Sequence, residues 1–334
     1  MLLSEQVMAE STLPSIVVHP GLPKCATSAL QRSFVIDNHS LASDLNVKIL
    51  GKRFIPMNGY PPVSEIMYDL DQCLSDLEQQ RYSLANYFFS SEALVNSPLL
   101  FKRIAQKFQI LKVVFTCRFP PLQALSNYRY SGWIDHSLGS LELSQHSSLN
   151  GSISRHLNIF NRFADMYSIK LCPVEGGELL SRFCQNCFDQ APPVTKQVAF
   201  DEHSKHNPLN KSIGLGFASA LASEISSRGL KITGKQRSGI VKYAQKWPLP
   251  NNIQNLMPHY SCAGLIEAQL DSLGSYESLL LSYGVDPAHV SLAIRQVEAE
   301  LRVLLSQPIA SKEELASFEE NAHNLVTSFL KMES

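Results

Sequence analysis

Short apolar runs recur through the first half of the chain and alternate with stretches of helical periodicity. The run at residues 110–118, ILKVVFTCR, is apolar at successive positions, which predicts a strand buried on both faces of a parallel sheet. Further strands are predicted at residues 15–19, 46–50, 84–94 and 168–175. Helices are predicted at residues 26–37, 98–107 and 153–166. This alternation predicts an α/β fold in which helices flank a parallel sheet.

The second half of the chain shows a different pattern. Residues 191–212 form a polar, proline-containing connection, after which only helical patterns occur. Those helices are predicted at residues 212–227, 234–246, 262–284, 287–306 and 311–331. Ser311 and Glu314 have the spacing of a capping box for the last helix. We therefore predict an α/β core over residues 13–190. A mainly helical portion over residues 191–334 is expected to pack on it and help form a substrate site.

Composition excludes several broad classes of protein. Apolar residues make up 44% of the 334 positions, enough for a sizeable core. The 29 Lys and Arg residues nearly balance 30 Asp and Glu residues, so no global field favours nucleic acid or an anionic membrane. No apolar run approaches the ~18 residues of a membrane-spanning helix.

The N-terminus and the cysteines bear on location. The first residues, MLLSEQVMAES, lack the basic and apolar regions of a signal peptide. The seven cysteines are odd in number and scattered, which favours reduced thiols. We expect a cytoplasmic protein without a membrane span or a nucleic-acid partner, and its oligomeric state is left open.

The segment after the first predicted strand has the composition of an anion-binding loop. It reads HPGLPKCATS and leads into a helix, whose first N–H groups and positive dipole end favour a phosphate. One lysine adds charge, two hydroxyl residues add donors, and small residues let the backbone approach the anion. The residues expected to hold the anion are Gly21, Lys24, Cys25, Ala26, Thr27 and Ser28.

This loop is not a Walker A motif. That motif has a lysine immediately before the hydroxyl residue, whereas Lys24 lies three residues before Thr27. The strand at 110–118 also ends in Cys-Arg and lacks the acidic residue that holds magnesium in P-loop NTPases. An ordinary ATPase or GTPase is therefore disfavoured.

A second anion pocket is predicted at the end of the strongest strand. Arg118 ends that strand, and Ser126 follows eight residues later on the next predicted helix. Open parallel sheets bind ligands outside the carboxyl ends of their strands, where a guanidinium can bond two phosphate oxygens. Arg118 and Ser126 are thus candidates for holding a second phosphate.

Both segments resemble the cofactor motifs of sulfotransferases. In bacterial and carbohydrate-type members the first motif typically reads H-x-G-x-P-K-T-G-T-T-S-L-Q. It is matched here at His19, Gly21, Pro23, Lys24, Thr27, Leu30 and Gln31, with departures that include Cys25, Ala26 and Ser28. The second motif, R-x-P followed by S-x-Y-R, is matched at Arg118, Pro120, Ser126, Tyr128 and Arg129. The resemblance spans about residues 13–285 and does not cover residues 286–334.

The resemblance implies a P-loop NTPase-like sulfotransferase fold and a specific cofactor. The donor would be 3′-phosphoadenosine-5′-phosphosulfate (PAPS), with its 5′-phosphosulfate at the first loop and its 3′-phosphate at Arg118 and Ser126. The product nucleotide would be 3′,5′-adenosine bisphosphate (PAP), and no metal would be required. The acceptor would be a hydroxyl, or as a second choice an amine, of a small molecule or carbohydrate.

Sulfuryl transfer requires charge stabilisation on the leaving oxygen and a base for the acceptor. Lys24 is expected to supply the first. Glu92 lies at the end of the middle predicted strand, where carbohydrate sulfotransferases often have the base, although an acid there also complements a helix dipole. His136 is the alternative base.

Two other functions stay open: a kinase-like nucleotide-dependent transferase and a catalytically silent nucleotide-binding protein. The Walker mismatch disfavours the first, and the presence of Lys24 with a candidate base disfavours the second.

Two further features have competing interpretations. Cys184 and Cys187 have CxxC spacing, but they lie on a predicted amphipathic helix, so core packing is preferred to metal binding. Tyr128, Tyr130 and Trp133 would line an acceptor pocket, stack on adenine or pack in the core.

Overall fold

A computed structural model describes residues 13–35, 40–49, 71, 75, 86–96, 98–130, 132–134, 152–206, 213–232, 234–250, 253, 256–258 and 260–333. Its strands are β1 (Ser15–His19), β2 (Val47–Ile49), β3 (Asn86–Ser90), β4 (Gln109–Cys117) and β5 (Ile169–Pro173). The helices that surround the sheet are α1 (Thr27–Val35), α2 (Ser40–Asp44), α3 (Ala93–Asn96), α4 (Pro98–Lys107), α5 (Pro120–Tyr130), α6 (Ser152–Ala164), α7 (Leu179–Phe188) and α8 (Val194–His206). The remaining helices are α9 (Leu215–Ser227), α10 (Gly234–Lys246), α11 (Tyr260–Leu270), α12 (Leu273–Ser282), α13 (Pro287–Leu305) and α14 (Lys312–Glu333).

The five strands form one sheet in the order β2-β3-β1-β4-β5, and every neighbouring pair is parallel. The predicted α/β class with a parallel sheet between helices is confirmed. From β1 the chain crosses towards the β2 edge and returns through β3, whereas from β4 it continues outward to β5. The connections after β1 and β4 therefore run in opposite directions, which is where open α/β sheets bind ligands.

Side chains on successive strand positions pack into two different hydrophobic clusters. Ile16, Val18 and Phe115 belong to the larger cluster, whereas Val17 and Val114 belong to the smaller one on the opposite face. All five are 3% exposed or less. The strands are buried on both faces, as the uninterrupted apolar runs predict.

The C-terminal helices share the larger cluster with the sheet. Phe217 of α9, Val297 of α13 and Phe318 of α14 are fully buried in the same cluster as the strand residues. The helical portion thus packs on the α/β core through one continuous hydrophobic cluster. No helix within the described ranges is long and apolar enough to cross a membrane.

The predicted connection at 191–212 was wrong over much of its length, because residues 194–206 form α8. The carbonyl of Pro193 accepts hydrogen bonds from the backbone N–H groups of Lys196 and Gln197, so the prolines begin a helix. Phe200 buries α8 against the smaller cluster. A polar sequence with one apolar anchor has little helical periodicity, which explains the error.

The single helix predicted at 262–284 was also wrong, since α11 and α12 are separated by a turn at Asp271 and Ser272. The capping box is confirmed: the Glu314 N–H donates to Ser311 Oγ (3.2 Å), and the Ser311 N–H donates to Glu314 Oε2 (2.8 Å).

Candidate functional site

Three charged side chains lie at the carboxyl ends of adjacent strands. Lys24 lies in the loop between β1 and α1, Glu92 follows β3, and Arg118 follows β4. Because β1 pairs with both β3 and β4, these three chain segments lie side by side at one edge of the sheet. The site therefore combines two cations and a carboxylate where the sheet topology favours a ligand.

The loop after β1 has a strained backbone of the kind that surrounds bound anions. Lys24 and Ala26 both have positive φ, of 61° and 60°. The Leu22 carbonyl accepts from the Cys25 N–H (3.2 Å) and from the Thr27 hydroxyl (3.3 Å), which closes a tight turn. Alternation of left-handed and ordinary residues makes neighbouring N–H groups converge into an anion-binding concavity.

Gly21 and Thr27 fix the shape of this loop. A Cβ added to Gly21 would lie 2.3 Å from Thr27 Oγ1, so only glycine fits beside that side chain. Thr27 is 2% exposed and its hydroxyl proton is given to Leu22. In this arrangement Thr27 holds the loop, whereas it was predicted to donate to the anion.

We predict that Ala26→Gly stabilises the protein, by about 0.5–1 kcal/mol, because glycine relieves the left-handed strain at a cost in unfolded-state entropy. Ala316, exposed within α14, provides the control, since Ala316→Gly should destabilise by about 1 kcal/mol. Urea unfolding midpoints measure both changes. Equal losses in the two variants would show that φ at Ala26 stores no strain.

Lys24 is held over an aromatic ring and is only partly solvated. Its ammonium lies 3.1 Å from the centroid of the Tyr130 ring. Burial lowers the pKa of Lys24 to about 8, and the nearby Glu92 carboxylate opposes that shift. Tyr130 therefore contacts the Lys24 ammonium, whereas Tyr128 and Trp133 are buried in the core. Of the three predicted aromatic residues, one therefore lies beside Lys24 and two lie in the core.

Glu92 is poised to exchange a proton near neutral pH. Burial raises its pKa to about 7, and the charge of Lys24 limits the increase. A carboxyl group with this pKa is suited to general-base catalysis at physiological pH. Its neighbour across the site, Lys24, is still mostly protonated there, so each residue can carry the charge that its expected role requires.

His19 ties three strand ends together. Its Nδ1 is 2.8 Å from Ser90 Oγ on β3, and its Nε2 is 3.1 Å from Thr116 Oγ1 on β4. Gln31 of α1 donates to the carbonyl and hydroxyl oxygens of the same Ser90. Complete burial lowers the pKa of His19 to about 3, so its imidazole is neutral. His19 is fully buried, and its hydrogen bonds hold the strand ends together.

A second hydrogen-bonded chain fastens the loop to α5. Gln123 Nε2 donates to the Pro23 carbonyl at 2.6 Å, and His156 Nε2 lies 2.7 Å from Gln123 Oε1. Burial lowers the pKa of His156 to about 4, so the donor is a neutral imidazole. The loop after β1 and the helix after β4 are therefore positioned relative to each other by side chains of α5 and α6.

Arg118 is paired with two carboxylates that the sequence analysis did not single out. Its Nη2 donates to Glu300 Oε2 at 2.9 Å, and its Nε is 3.6 Å from Glu175 Oε1. Glu175 follows β5, is 1% exposed and accepts from the Phe119 N–H; burial raises its pKa to about 7 against the effect of Arg118. Arg118 Nε and Glu175 Oε2 have no hydrogen-bond partner within the described part of the chain.

Arg129 adds a second cation close to Arg118. Burial and the charge of Arg118 both lower the pKa of Arg129. Its Nε donates to the Ile213 carbonyl at 3.0 Å, and it forms no ion pair with any described residue. Ser126 lies half-buried on the same helix. Arg118 is already paired with Glu175 and Glu300, so Arg129 is the cation of this pair that no described carboxylate neutralises.

The remaining predicted residues are three cysteines and His136. Cys184 and Cys187 are buried free thiols on α7 and pack in the smaller cluster, which confirms the core assignment. Cys25 is also a buried free thiol, and burial raises its pKa. Its role in the loop is that of a small side chain. His136 lies outside the described residues. Among the described side chains, no three metal-ligating groups cluster together.

Comparison with protein-family models and with curated proteins finds no match for this chain. The likeness to sulfotransferases therefore depends on the two motifs and on the geometry around them.

Proposed function

We propose that the protein is a PAPS-dependent sulfotransferase with a P-loop NTPase-like sulfotransferase fold. The observation that carries the proposal is the position of Lys24 and Arg118 after adjacent strands, where connections leave the sheet in opposite directions. Two anionic groups of one nucleotide need two cationic sites at such a point. The same two positions carry the two sulfotransferase-like motifs.

The donor set fits a nucleotide with 5′ and 3′ anionic groups. The positive-φ loop and Lys24 would hold the 5′-phosphosulfate, and Arg118, Arg129 and Ser126 would hold the 3′-phosphate. The Nη2 group of Arg118, which donates to the partly exposed Glu300, is the donor that such a phosphate would reach. PAPS would supply the sulfuryl group that is transferred.

Two side chains would carry the chemistry. The Lys24 ammonium would stabilise negative charge that develops on the leaving phosphate oxygen, where a preoriented cation is worth most. The Glu92 carboxylate would accept the proton of an acceptor hydroxyl on a sugar or other small molecule. The closeness of the two groups, evident in the influence each has on the other's pKa, supports a shared reaction centre.

Thermal stabilisation by nucleotides tests the proposal. We expect PAP to stabilise the protein more than ADP or ATP-Mg does, because only PAP has a 3′-phosphate; a ligand at 100 times its Kd adds about 2.7 kcal/mol. In Arg118→Lys the ratio of the Kd for ADP to the Kd for PAP should fall roughly five- to tenfold. Lysine keeps a charge for Glu175 but loses the planar fork of the guanidinium. Arg302→Lys on the surface of α13 is the matched control.

Each other outcome assigns a different function. A preference for ATP-Mg would favour the kinase-like transferase. Tight PAP binding without sulfuryl transfer to any acceptor in a panel of sugars, phenols and amines would favour the silent binding protein. Equal stabilisation by PAP and ADP would overturn the proposal.

A further inference from the structure

A helix outside the sulfotransferase-like stretch reaches into the proposed 3′-phosphate site. Glu300 of α13 accepts a hydrogen bond from Arg118 Nη2 at 2.9 Å, across 182 positions of sequence. The Glu300 side chain is 35% exposed, whereas Glu175, the other carboxylate at Arg118, is 1% exposed. Arg118 is thus shared between one buried carboxylate and one at the surface.

The contact is braced by its neighbours. Gln296, one turn before Glu300, donates to Glu300 Oε1 at 3.3 Å and accepts from the Gly176 N–H at 2.7 Å. A Cβ on Gly176 would lie 3.3 Å from the Ala293 backbone nitrogen, so α13 packs directly on the loop after β5. Helix packing therefore presents the Glu300 carboxylate to Arg118.

The two carboxylates differ in whether a ligand could displace them from Arg118. Glu175 is enclosed and accepts the Phe119 N–H, so its displacement would leave a buried charge and an unbonded amide. Glu300 can rotate into solvent and regain its hydration at small cost. A phosphate that binds Arg118 would take the place of Glu300.

We propose that Glu300 limits the strength of the preference for a 3′-phosphate, because it competes with the ligand's second phosphate for Arg118. Ligands that have only a 5′-anion leave the Glu300–Arg118 pair intact and gain nothing from it. A 3′-phosphate, with its higher charge and three oxygens, displaces Glu300 and gains the guanidinium. This inference rests on the proposed function, because it assumes that the Arg118 pocket receives a 3′-phosphate.

Calorimetric Kd values for PAP and 5′-AMP test the competition in three proteins: wild type, Glu300→Gln and Glu298→Gln. Glutamine keeps the size of the side chain and removes its charge. We expect Glu300→Gln to tighten PAP binding roughly two- to fivefold, the range of a partly exposed charge pair, and to leave the Kd of 5′-AMP unchanged. Glu298 lies on the same helix and pairs with Arg302, so Glu298→Gln should change neither Kd.

The possible failures are distinguishable. If wild type prefers PAP to 5′-AMP and Glu300→Gln binds PAP no more tightly, the competition is refuted and the proposed function stands. If Glu300→Gln tightens both ligands equally, Glu300 acts through general charge and the specificity role is refuted. If no variant prefers PAP, the proposed function and this inference fall together.

Discussion

Replacing Lys24 with methionine should lower kcat by about 10²–10³-fold, the usual cost of losing one preorganised donor to developing charge. Methionine keeps an unbranched side chain that can still lie over Tyr130 while the charge is removed. Binding of PAP should weaken less than turnover, because the lysine acts mainly on charge that appears during transfer. Transfer from radiolabelled PAPS to the best acceptor of a hydroxyl panel measures the effect.

Lys112→Met is the matched control for this prediction. Lys112 is half-buried on β4 and pairs with Asp189 at 2.6 Å, so its loss removes a structural charge from the same sheet. We expect kcat within about twofold of wild type in that variant, since exposed pairs contribute little. A Lys24→Met enzyme that loses PAP affinity but keeps a near-normal kcat would show that Lys24 only binds the nucleotide.

The sequence predicts the edge of the sheet at which the charged residues meet, for a simple geometric reason. Strand ends of a parallel sheet face the same way, so residues that follow apolar runs lie at one edge whatever the strand order. Lys24, Glu92 and Arg118 each follow such a run. Their order across the sheet, with β1 between β3 and β4, depends on crossover connections, and no local pattern encodes it.

The partners of Arg118 show what local patterns leave out. Glu175 is the last residue of the predicted strand at 168–175, so an acidic residue at the ligand edge was a signal available in the sequence. Glu300 gives no such signal, because its contact is set by how α13 packs against the loop at Gly176. Thr27 gives no such signal either. Its position in the motif implied a phosphate donor, and only the structure shows that its hydroxyl bonds to the Leu22 carbonyl while its side chain packs against Gly21.

Replacing Glu92 with glutamine should lower kcat by about 10²–10⁴-fold if the carboxylate is the general base. The pH dependence identifies the role more sharply than the size of the loss. A base must be deprotonated, so wild-type kcat/KM should rise with pH through the pKa of Glu92, about 7. It should then fall as Lys24 loses its proton through about 8, which gives a narrow bell between the two values.

In Glu92→Gln the rising limb should disappear, because the titrating group is gone. The falling limb should move to lower pH, since the Glu92 charge is what raises the pKa of Lys24 against burial. Glu202→Gln, at an exposed acid on α8, should keep both limbs. An acid that merely complements the start of α3 would leave the rising limb intact after substitution. Near-normal turnover in Glu92→Gln would therefore exclude this residue as the base and bring His136 forward as the next candidate.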